Sequence, residues 1–117
     1  AKEIALRIYN SKPDHFDNLR LLNFICFKKK DFSSALDFIN KAIKINPNFA
    51  EAYNEQGNAL NELKQLQLAI KSYDQAIKLN PKYADAYYNK GLVLYELNEI
   101  DFHYYNKWPS FLALVFK

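Results

Sequence analysis

The sequence has little of what tight turns and disulfides require. Its 117 residues include two glycines, four prolines and one cysteine. A loop-rich all-β protein needs Gly and Pro at many turns, so their scarcity favours helices. The single Cys26 cannot form an internal disulfide, and no Asn-x-Ser/Thr glycosylation acceptor occurs, so nothing points to secretion. We expect an intracellular, cytoplasmic setting.

Long apolar runs are also missing. The longest, Phe111 to Phe116, has six residues, whereas a membrane helix needs about 18. No membrane association is therefore expected. The net charge of +3 comes from dispersed lysines, so nucleic acid is not an expected partner either. The first ten residues, AKEIALRIYN, have no methionine and no apolar signal core, which is typical of a piece of a longer chain.

The sequence does contain an internal repeat. The stretch AIKINPNFAEAYNEQG at residues 42–57 returns as AIKLNPKYADAYYNKG at residues 76–91, and Pro13, Pro47 and Pro81 are spaced 34 residues apart. Two apolar patterns of helical period lie between successive prolines. Proline disfavours helix at the residue before it, so each proline closes a helical hairpin. The predicted fold is all-α, with helix-turn-helix units that stack on one another.

The period also predicts the boundaries of the units. Residues 16–49 and 50–83 form full units, and residues 1–15 form the second helix of a partial unit. Residues 84–100 form the first helix of a degenerate unit, and residues 101–117 form an atypical C-terminal segment. Its apolar residues, from Trp108 to Phe116, either fold back over the last hairpin or dock on a partner.

Two glycines recur within the predicted helices. A glycine in mid-helix costs about 0.5–1 kcal/mol relative to alanine. Gly57 and Gly91 are therefore predicted to mark places where two helices approach closely. The small residues Ala69 and Ala76 on the following helix are the expected partners of Gly57, and Tyr73 between them is expected to fill the space beside the contact.

The second unit resembles the tetratricopeptide repeat, a family of 34-residue helical hairpins. The residues that carry the resemblance are Tyr53, Gly57, Leu60, Ala69, Tyr73, Ala76 and Pro81. The first unit has Asn23 where a small residue is usual, and the third departs at His103. The resemblance implies a right-handed superhelix in which the first helices of the units line a concave groove that holds an extended peptide or a partner helix. It implies no cofactor.

Carried onto this sequence, the resemblance assigns a set of groove residues. They are Arg20, Phe24, Phe27, Glu51, Asn54, Asn58, Asn61, Asp85, Tyr88, Asn89, Leu92 and Tyr95. Asn54, Asn58 and Asn61 are spaced four and three apart, so they share one helix face although asparagine is a mediocre helix former. Their amides suit a peptide backbone that needs both donors and acceptors. The alternative interpretation is a solvated polar face.

One subset of the family binds chaperone C-termini through a clamp of basic and asparagine side chains. Asn58 and Asn89 fit that clamp when it starts in the second unit, but Asn54 stands where lysine is required. When it starts in the first unit, Arg20 fits, and Phe24 and Glu55 replace asparagines. A chaperone adaptor is therefore disfavoured.

The sequence contains no recognisable catalytic or metal-binding motif. His15 and His103 have no partner at metal-ligand spacing, and Cys26 lies on an apolar stripe, as a buried hydrophobe does. Asp17, Glu51 and Asp85 recur at the period of 34, one residue into each first helix, where an acid stabilises the positive helix end. We predict a chain that is not an enzyme and needs neither metal nor cofactor.

The leading hypothesis is a protein-protein interaction module. One alternative is a self-assembling or regulatory segment of a larger protein, acting through the apolar N-terminal helix or the tail at residues 108–116. Another is an RNA-binding helical repeat of the pentatricopeptide kind, which the acidic residues of the predicted groove oppose. The chain could also be the non-catalytic part of a larger enzyme.

Overall fold

The computed structural model describes residues 3–4, 6–7 and 15–106, with residues 100–106 described by their backbone only. Residues 3–4 and 6–7 are helical, and five helices follow. They are α1 (Phe16–Lys28), α2 (Phe32–Ile45), α3 (Ala50–Glu62), α4 (Leu66–Leu79) and α5 (Ala84–Asn106). No strand occurs in these ranges, so the predicted all-α fold is confirmed. The tail at residues 107–117 and most of the predicted helix at 1–15 lie outside the described residues.

The turns inside the first two hairpins share one geometry. Lys30 and Lys64, one period apart, both have φ of 63°. The N–H of the next residue donates back to the helix, from Asp31 to the Cys26 carbonyl and from Gln65 to the Leu60 carbonyl, each at 2.9 Å. This left-handed ending satisfies carbonyls that the helix end leaves open. Glycine is usual at such a position. Because lysine stands there instead, a search of the sequence for turn glycines finds neither turn.

The loops between units are held by a tyrosine. The Tyr53 hydroxyl donates to the Pro47 carbonyl at 2.8 Å, and the Tyr87 hydroxyl donates to the Pro81 carbonyl at 3.0 Å. Each recurring tyrosine is thus tied to the recurring proline before its helix. The bond fixes where the first helix of a unit leaves the preceding loop.

Gly57 lies where α3 and α4 come closest, as predicted. A Cβ atom there would stand 2.5 Å from Cε1 of Tyr73. The three nearest heavy atoms all belong to the Tyr73 ring, so that ring, rather than Ala69 or Ala76, excludes a side chain. Tyr73, Ala69 and Ala76 are all buried between the helices.

In the first unit, different residues occupy the positions of Gly57 and Tyr73 between the two helices. Asn23 replaces the glycine and is buried, and its amide nitrogen donates to the Ala35 carbonyl at 2.9 Å. The residue of α2 that stands one period before Tyr73 is Ile39, which is also buried and is smaller than tyrosine. A larger residue on one helix is thus matched by a smaller residue on the other. The departure of Asn23 from the family pattern is compensated by Ile39.

The third unit differs from the first two. The turn that separates α3 from α4 would recur near residue 98, but α5 continues as one helix from Ala84 to Asn106. No second helix of this unit therefore occurs in the described chain. Accordingly, a Cβ atom on Gly91 would have no described atom within 4 Å, and the close approach predicted for Gly91 is not observed there.

The units stack through two core clusters. One joins α1, α2 and α3 through Leu19, Ile39 and Ala52. The other joins α3, α4 and α5, and Val93 of α5 is packed in it beside Tyr73. Among the helices described, none is sufficiently long and apolar to cross a membrane.

Candidate functional site

The inner surface of the stack is formed by α1, α3 and α5, the first helices of the three units, and we call it the groove. Large apolar side chains stand exposed along it: Phe24 is 56% exposed and Tyr88 68%, and Leu92 and Tyr95 are exposed as well. A pocket of about 210 Å³ opens between α1 and α3. Its lining residues are Asn23, Phe24, Phe27, Lys28, Glu55 and Asn58.

Arg20 is occupied by contacts within the protein. Its guanidinium donates to both carboxylate oxygens of Glu55, with Nε 3.2 Å from Oε2 and the terminal nitrogen 2.5 Å from Oε1. Its other contact is the ring of Phe49, whose centroid lies 4.6 Å from the guanidinium carbon. The hydrogen bond with Glu55 raises the pKa of Arg20 further above its ordinary value. This pair links α1 to α3.

Asn54 and Asn89 make the corresponding link between α3 and α5. Asn54 is buried, and its Oδ1 accepts a hydrogen bond from Nδ2 of Asn89 at 3.1 Å. These positions lie one period after Arg20 and Glu55. The groove is thus crossed twice by a polar pair in the same place, first as an ion pair and then as an amide pair.

The other two asparagines of the predicted stripe have different environments. Oδ1 of Asn58 accepts a hydrogen bond from the Tyr73 hydroxyl at 2.7 Å. That bond occupies the amide oxygen, and Asn58 also lines the pocket between α1 and α3. Oδ1 of Asn61 is buried and accepts no hydrogen bond from the described residues. The three asparagines therefore do not form one uniform row of exposed amides.

The predicted carboxylates surround Tyr83, which precedes α5. Burial raises the pKa of the Tyr83 phenol most, and the charges of Glu51, Asp85 and Glu55 raise it further, while a hydrogen bond with Asn54 opposes the rise. Negative charge therefore dominates where α3 and α5 begin. Glu51 is partly buried and Asp85 is exposed.

The side chains suited to chemistry have structural roles. His15 caps α1, because its Nδ1 accepts from the Asn18 N–H at 3.1 Å. Cys26 is buried in the first hairpin. In the part of the chain that the structure describes, no three His, Cys, Asp or Glu residues are grouped to hold a metal ion. The side chain of His103 lies outside the described residues.

A second cleft lies on the opposite, outer surface. It measures about 410 Å³ and is lined by residues of α2, α3 and α4, among them Leu36, Leu60 and Leu68. A side-chain network crosses it: Nε2 of Gln56 donates to Asn40 and the Ser72 hydroxyl donates to Gln56, each at 2.8 Å. The equivalent pair one period later is an ion pair, Lys90 with Asp74 at 2.6 Å.

Sequence reasoning placed the groove residues on the right helices and missed what the polar ones contact. The sequence does contain a signal for these contacts, namely pairs of polar residues spaced 35 apart, one more than the period of 34. It relates Arg20 to Glu55 and Asn54 to Asn89, since a position in one first helix faces the next position in the following unit. Complementary residue types at that spacing indicate contacts between units.

Comparison with known proteins identifies the family. Models described as tetratricopeptide repeats match residues 24–49 and 38–71, and one described as a TPR repeat matches residues 57–98. The chain belongs to the tetratricopeptide repeat family. The structural match is to the same class of fold: MamA superposes with a TM-score of 0.79 and 29% identity, covering 86% of this chain and 58% of MamA.

Other relatives carry the same repeat. The TPR2B domain of yeast Sti1, in a complex with an Hsp70 peptide, superposes with a TM-score of 0.70 and 27% identity over 72% of this chain and 67% of that one. The UDP-N-acetylglucosamine–peptide N-acetylglucosaminyltransferases of Caenorhabditis elegans and Arabidopsis thaliana are 35% and 34% identical over 57% and 62% of this chain. The chain spans only 6% and 8% of those two proteins.

Proposed function

We propose that the chain is a non-catalytic interaction module that binds a protein segment, as an extended peptide or a helix, in the groove. The observation that carries the proposal is the row of exposed apolar side chains, Phe24, Tyr88, Leu92 and Tyr95, on the surface lined by the first helices. Phe24 stands on α1 and the other three on α5, with the asparagines of α3 between them, and exposed apolar patches beside polar residues are typical of interaction sites. The related Sti1 domain, which is complexed with an Hsp70 peptide, supports the same use of the fold.

The groove residues then divide into two roles. Phe24, Tyr88 and Tyr95 supply apolar contact area, and Asn58 offers its amide nitrogen to a carbonyl of the bound segment. The amide pair Asn54–Asn89 and the ion pair Arg20–Glu55 hold the first helices at a fixed separation. Preorganising the surface lowers the entropy cost of binding.

The charge of the groove favours a neutral or basic segment. Arg20 is neutralised by Glu55, and Glu51 and Asp85 are the charges that act on Tyr83 beside them. An acidic chaperone tail or an RNA backbone would meet these carboxylates, so neither is proposed as the ligand. We also propose a cytoplasmic setting, in line with a single cysteine, Cys26, which cannot form an internal disulfide.

The test starts from a random 12-residue peptide display library selected on the immobilised chain. Affinities of enriched peptides are then measured by calorimetry for Phe24→Ser with Tyr88→Ser. We expect at least a tenfold loss, because both rings leave the binding surface. Leu68→Ser is the matched control, since Leu68 is exposed on the outer surface. Loss of binding in the control with retention in the groove variant would show that the site is the outer cleft.

A second comparison tests the charge preference. Each enriched peptide is made with two flanking lysines or two flanking glutamates, and binding is measured at low and at physiological salt. We expect the lysine form to bind more tightly, with a difference that shrinks as salt screens the carboxylates. Tighter binding of the glutamate form would contradict the proposed preference.

A further inference from the structure

Helix α5 repeats on its outer side the surface that α3 uses inside a hairpin. Tyr87, Gly91 and Leu94 stand one period after Tyr53, Gly57 and Leu60, and we call these three residues of α5 the seat. The seat is oriented in the same way, because the Tyr87 hydroxyl bonds the Pro81 carbonyl just as Tyr53 bonds Pro47. The groove side chains Tyr88 and Tyr95 lie on the neighbouring face of the same helix.

The two surfaces differ in what covers them. On α3, Leu60 is 7% exposed and the Tyr73 ring lies against Gly57. On α5, Leu94 is 43% exposed and Tyr87 50%, and no described atom comes within 4 Å of a Cβ built on Gly91. The seat therefore has the residues and the orientation that accept a helix, together with an exposed surface.

The two complete hairpins show which kind of helix each surface accepts. The first helix with glycine at the central position has the Tyr73 ring against it, whereas the hairpin with Asn23 there has the smaller Ile39 at the position of Tyr73. Since the seat carries Gly91, it has room for a tyrosine or phenylalanine. Small residues four before and three after the aromatic residue, as Ala69 and Ala76 flank Tyr73, allow the close approach of the two helices.

The chain does not offer such a helix in register. The positions one period after Ala69 and Tyr73 are His103 and Lys107, which are neither small nor aromatic. His103 also belongs to α5 itself. No helix that fits the seat in register therefore occurs in the part of the chain that the structure describes.

We propose that the seat binds an amphipathic helix of another molecule, with an aromatic residue flanked by small residues at −4 and +3. Such a helix would continue the stacking interface already formed by α3 and α4. The site is separate from the groove, so a molecule in the groove and a helix on the seat can be bound together.

The probes are two peptides copied from this chain and held helical by lactam bridges. One has the sequence of residues 65–80, with Gln67→Glu joined to Lys71. The other has the sequence of residues 31–46, with Ser33→Lys joined to Asp37. All four bridge positions are exposed in the protein. Binding of the labelled peptides to the full chain is measured by fluorescence anisotropy.

We expect the 65–80 peptide to bind at least tenfold more tightly than the 31–46 peptide, and to lose that advantage when its tyrosine is replaced in Tyr73→Ala. In the protein, Gly91→Asn should invert the preference, because it gives the seat the asparagine that pairs with Ile39 in the first hairpin. Leu68→Asn, on the outer surface, is the control and should leave both affinities unchanged. Circular dichroism checks that each variant remains helical.

Four outcomes would overturn the proposal. The first is equal binding of the two peptides, and the second is no binding of either peptide. The third is binding of the 65–80 peptide only to a chain that ends at Asn106, which would make residues 107–117 the occupant of the seat. An unchanged preference in Gly91→Asn would show that the peptide binds elsewhere, which counts against it as well.

Discussion

At the scale of single residues, the hairpins are specified by matched sizes at one contact. Gly57 faces the large Tyr73, and where Asn23 replaces the glycine, the smaller Ile39 stands at the position of the tyrosine. In both hairpins the surrounding residues are closely packed, with Ala35 and Ala69 fully buried on the second helices. A change on one side should therefore require a compensating change on the other.

Gly57→Asn is expected to destabilise the protein by about 2–4 kcal/mol, because overpacking of a buried contact forces side chains out of their rotamers. Its Cβ would lie 2.5 Å from a ring that is itself buried. Adding Tyr73→Ile should recover most of the loss, since it reproduces the pair of the first hairpin. Urea unfolding of both single variants and the double variant measures the coupling. Additive losses would contradict the matched-pair explanation.

Tyr73 also predicts an alkaline limit of stability. Burial, and then the charge of Glu62, raises the pKa of its phenol above the ordinary value of 10.0. The folded protein therefore keeps a proton that the unfolded chain loses, so the contribution to stability is complete below about pH 10 and falls as the pH rises further. Tyr73→Phe cannot ionise and should lose less stability between pH 9 and pH 11. Parallel losses in urea unfolding across that range would exclude this contribution.

At the scale of helices, the two hairpin turns differ in their caps. Both contain a lysine with positive φ. Of the two second helices, α2 and α4, only α2 has a side-chain cap. There the Asp31 carboxylate accepts from the Ser34 N–H at 3.3 Å, whereas Gln65 makes no such bond for α4. The start of α4 is therefore the weaker of the two.

Gln65→Asp is expected to stabilise the protein by about 0.5–1 kcal/mol, because aspartate caps the first N–H groups of a helix and glutamine does not. Asp31→Ala should cost a similar amount in the first hairpin. Thermal unfolding at pH 7 and at pH 3 measures both effects. The gain from Gln65→Asp should shrink at pH 3, where the new carboxylate is protonated, and a gain unchanged by pH would point to another cause.

The sequence predicts a helix or turn well when the residues that cause it lie within that element, and poorly when they lie elsewhere in the chain. The prolines, the tyrosines and the small residues recur at fixed spacing, so the hairpins at 16–49 and 50–83 could be placed without the structure. The length of α5 could not. Asn98 stands at the position of Lys64, and asparagine accepts that turn, yet the helix continues. Without a small and aromatic pattern at His103 and Lys107, breaking the helix gains no packing.

The groove shows the same division. Its apolar residues, such as Phe24 and Tyr88, are assigned to the groove by the family resemblance, and both are exposed. The contacts of Asn54 and Asn58 depend on which side chain the neighbouring helix presents. The sequence of one helix does not show which side chain of the next helix will contact it. The residues could therefore be named from the sequence, whereas separating the exposed ones from those that join helices required the structure.

At the scale of the whole molecule, each contact between units has a polar pair on both surfaces. The first contact has the ion pair Arg20–Glu55 on the groove side and an amide pair outside, while the second has an amide pair on the groove side and the ion pair Asp74–Lys90 outside. The pairs occupy equivalent positions at the two contacts, but the ion pair and the amide pair have exchanged sides. Units stacked in the wrong order would place charges against amides, so these pairs favour the native order.

This interpretation predicts the behaviour of a transplanted pair. Glu55→Asn leaves Arg20, which is only 28% exposed, without its carboxylate, and should cost about 1–2 kcal/mol because a partly buried charge loses its partner. The double variant Arg20→Asn with Glu55→Asn reproduces the amide pair that Asn54 and Asn89 form in the next unit. Urea unfolding should find it within about 0.5 kcal/mol of the original chain, which is the usual size of a surface effect. Its stability should also depend less on salt, since the ion pair that salt screens is gone. If the double variant were as unstable as Glu55→Asn alone, the pairs would be tied to their local surroundings and could not determine the order of the units.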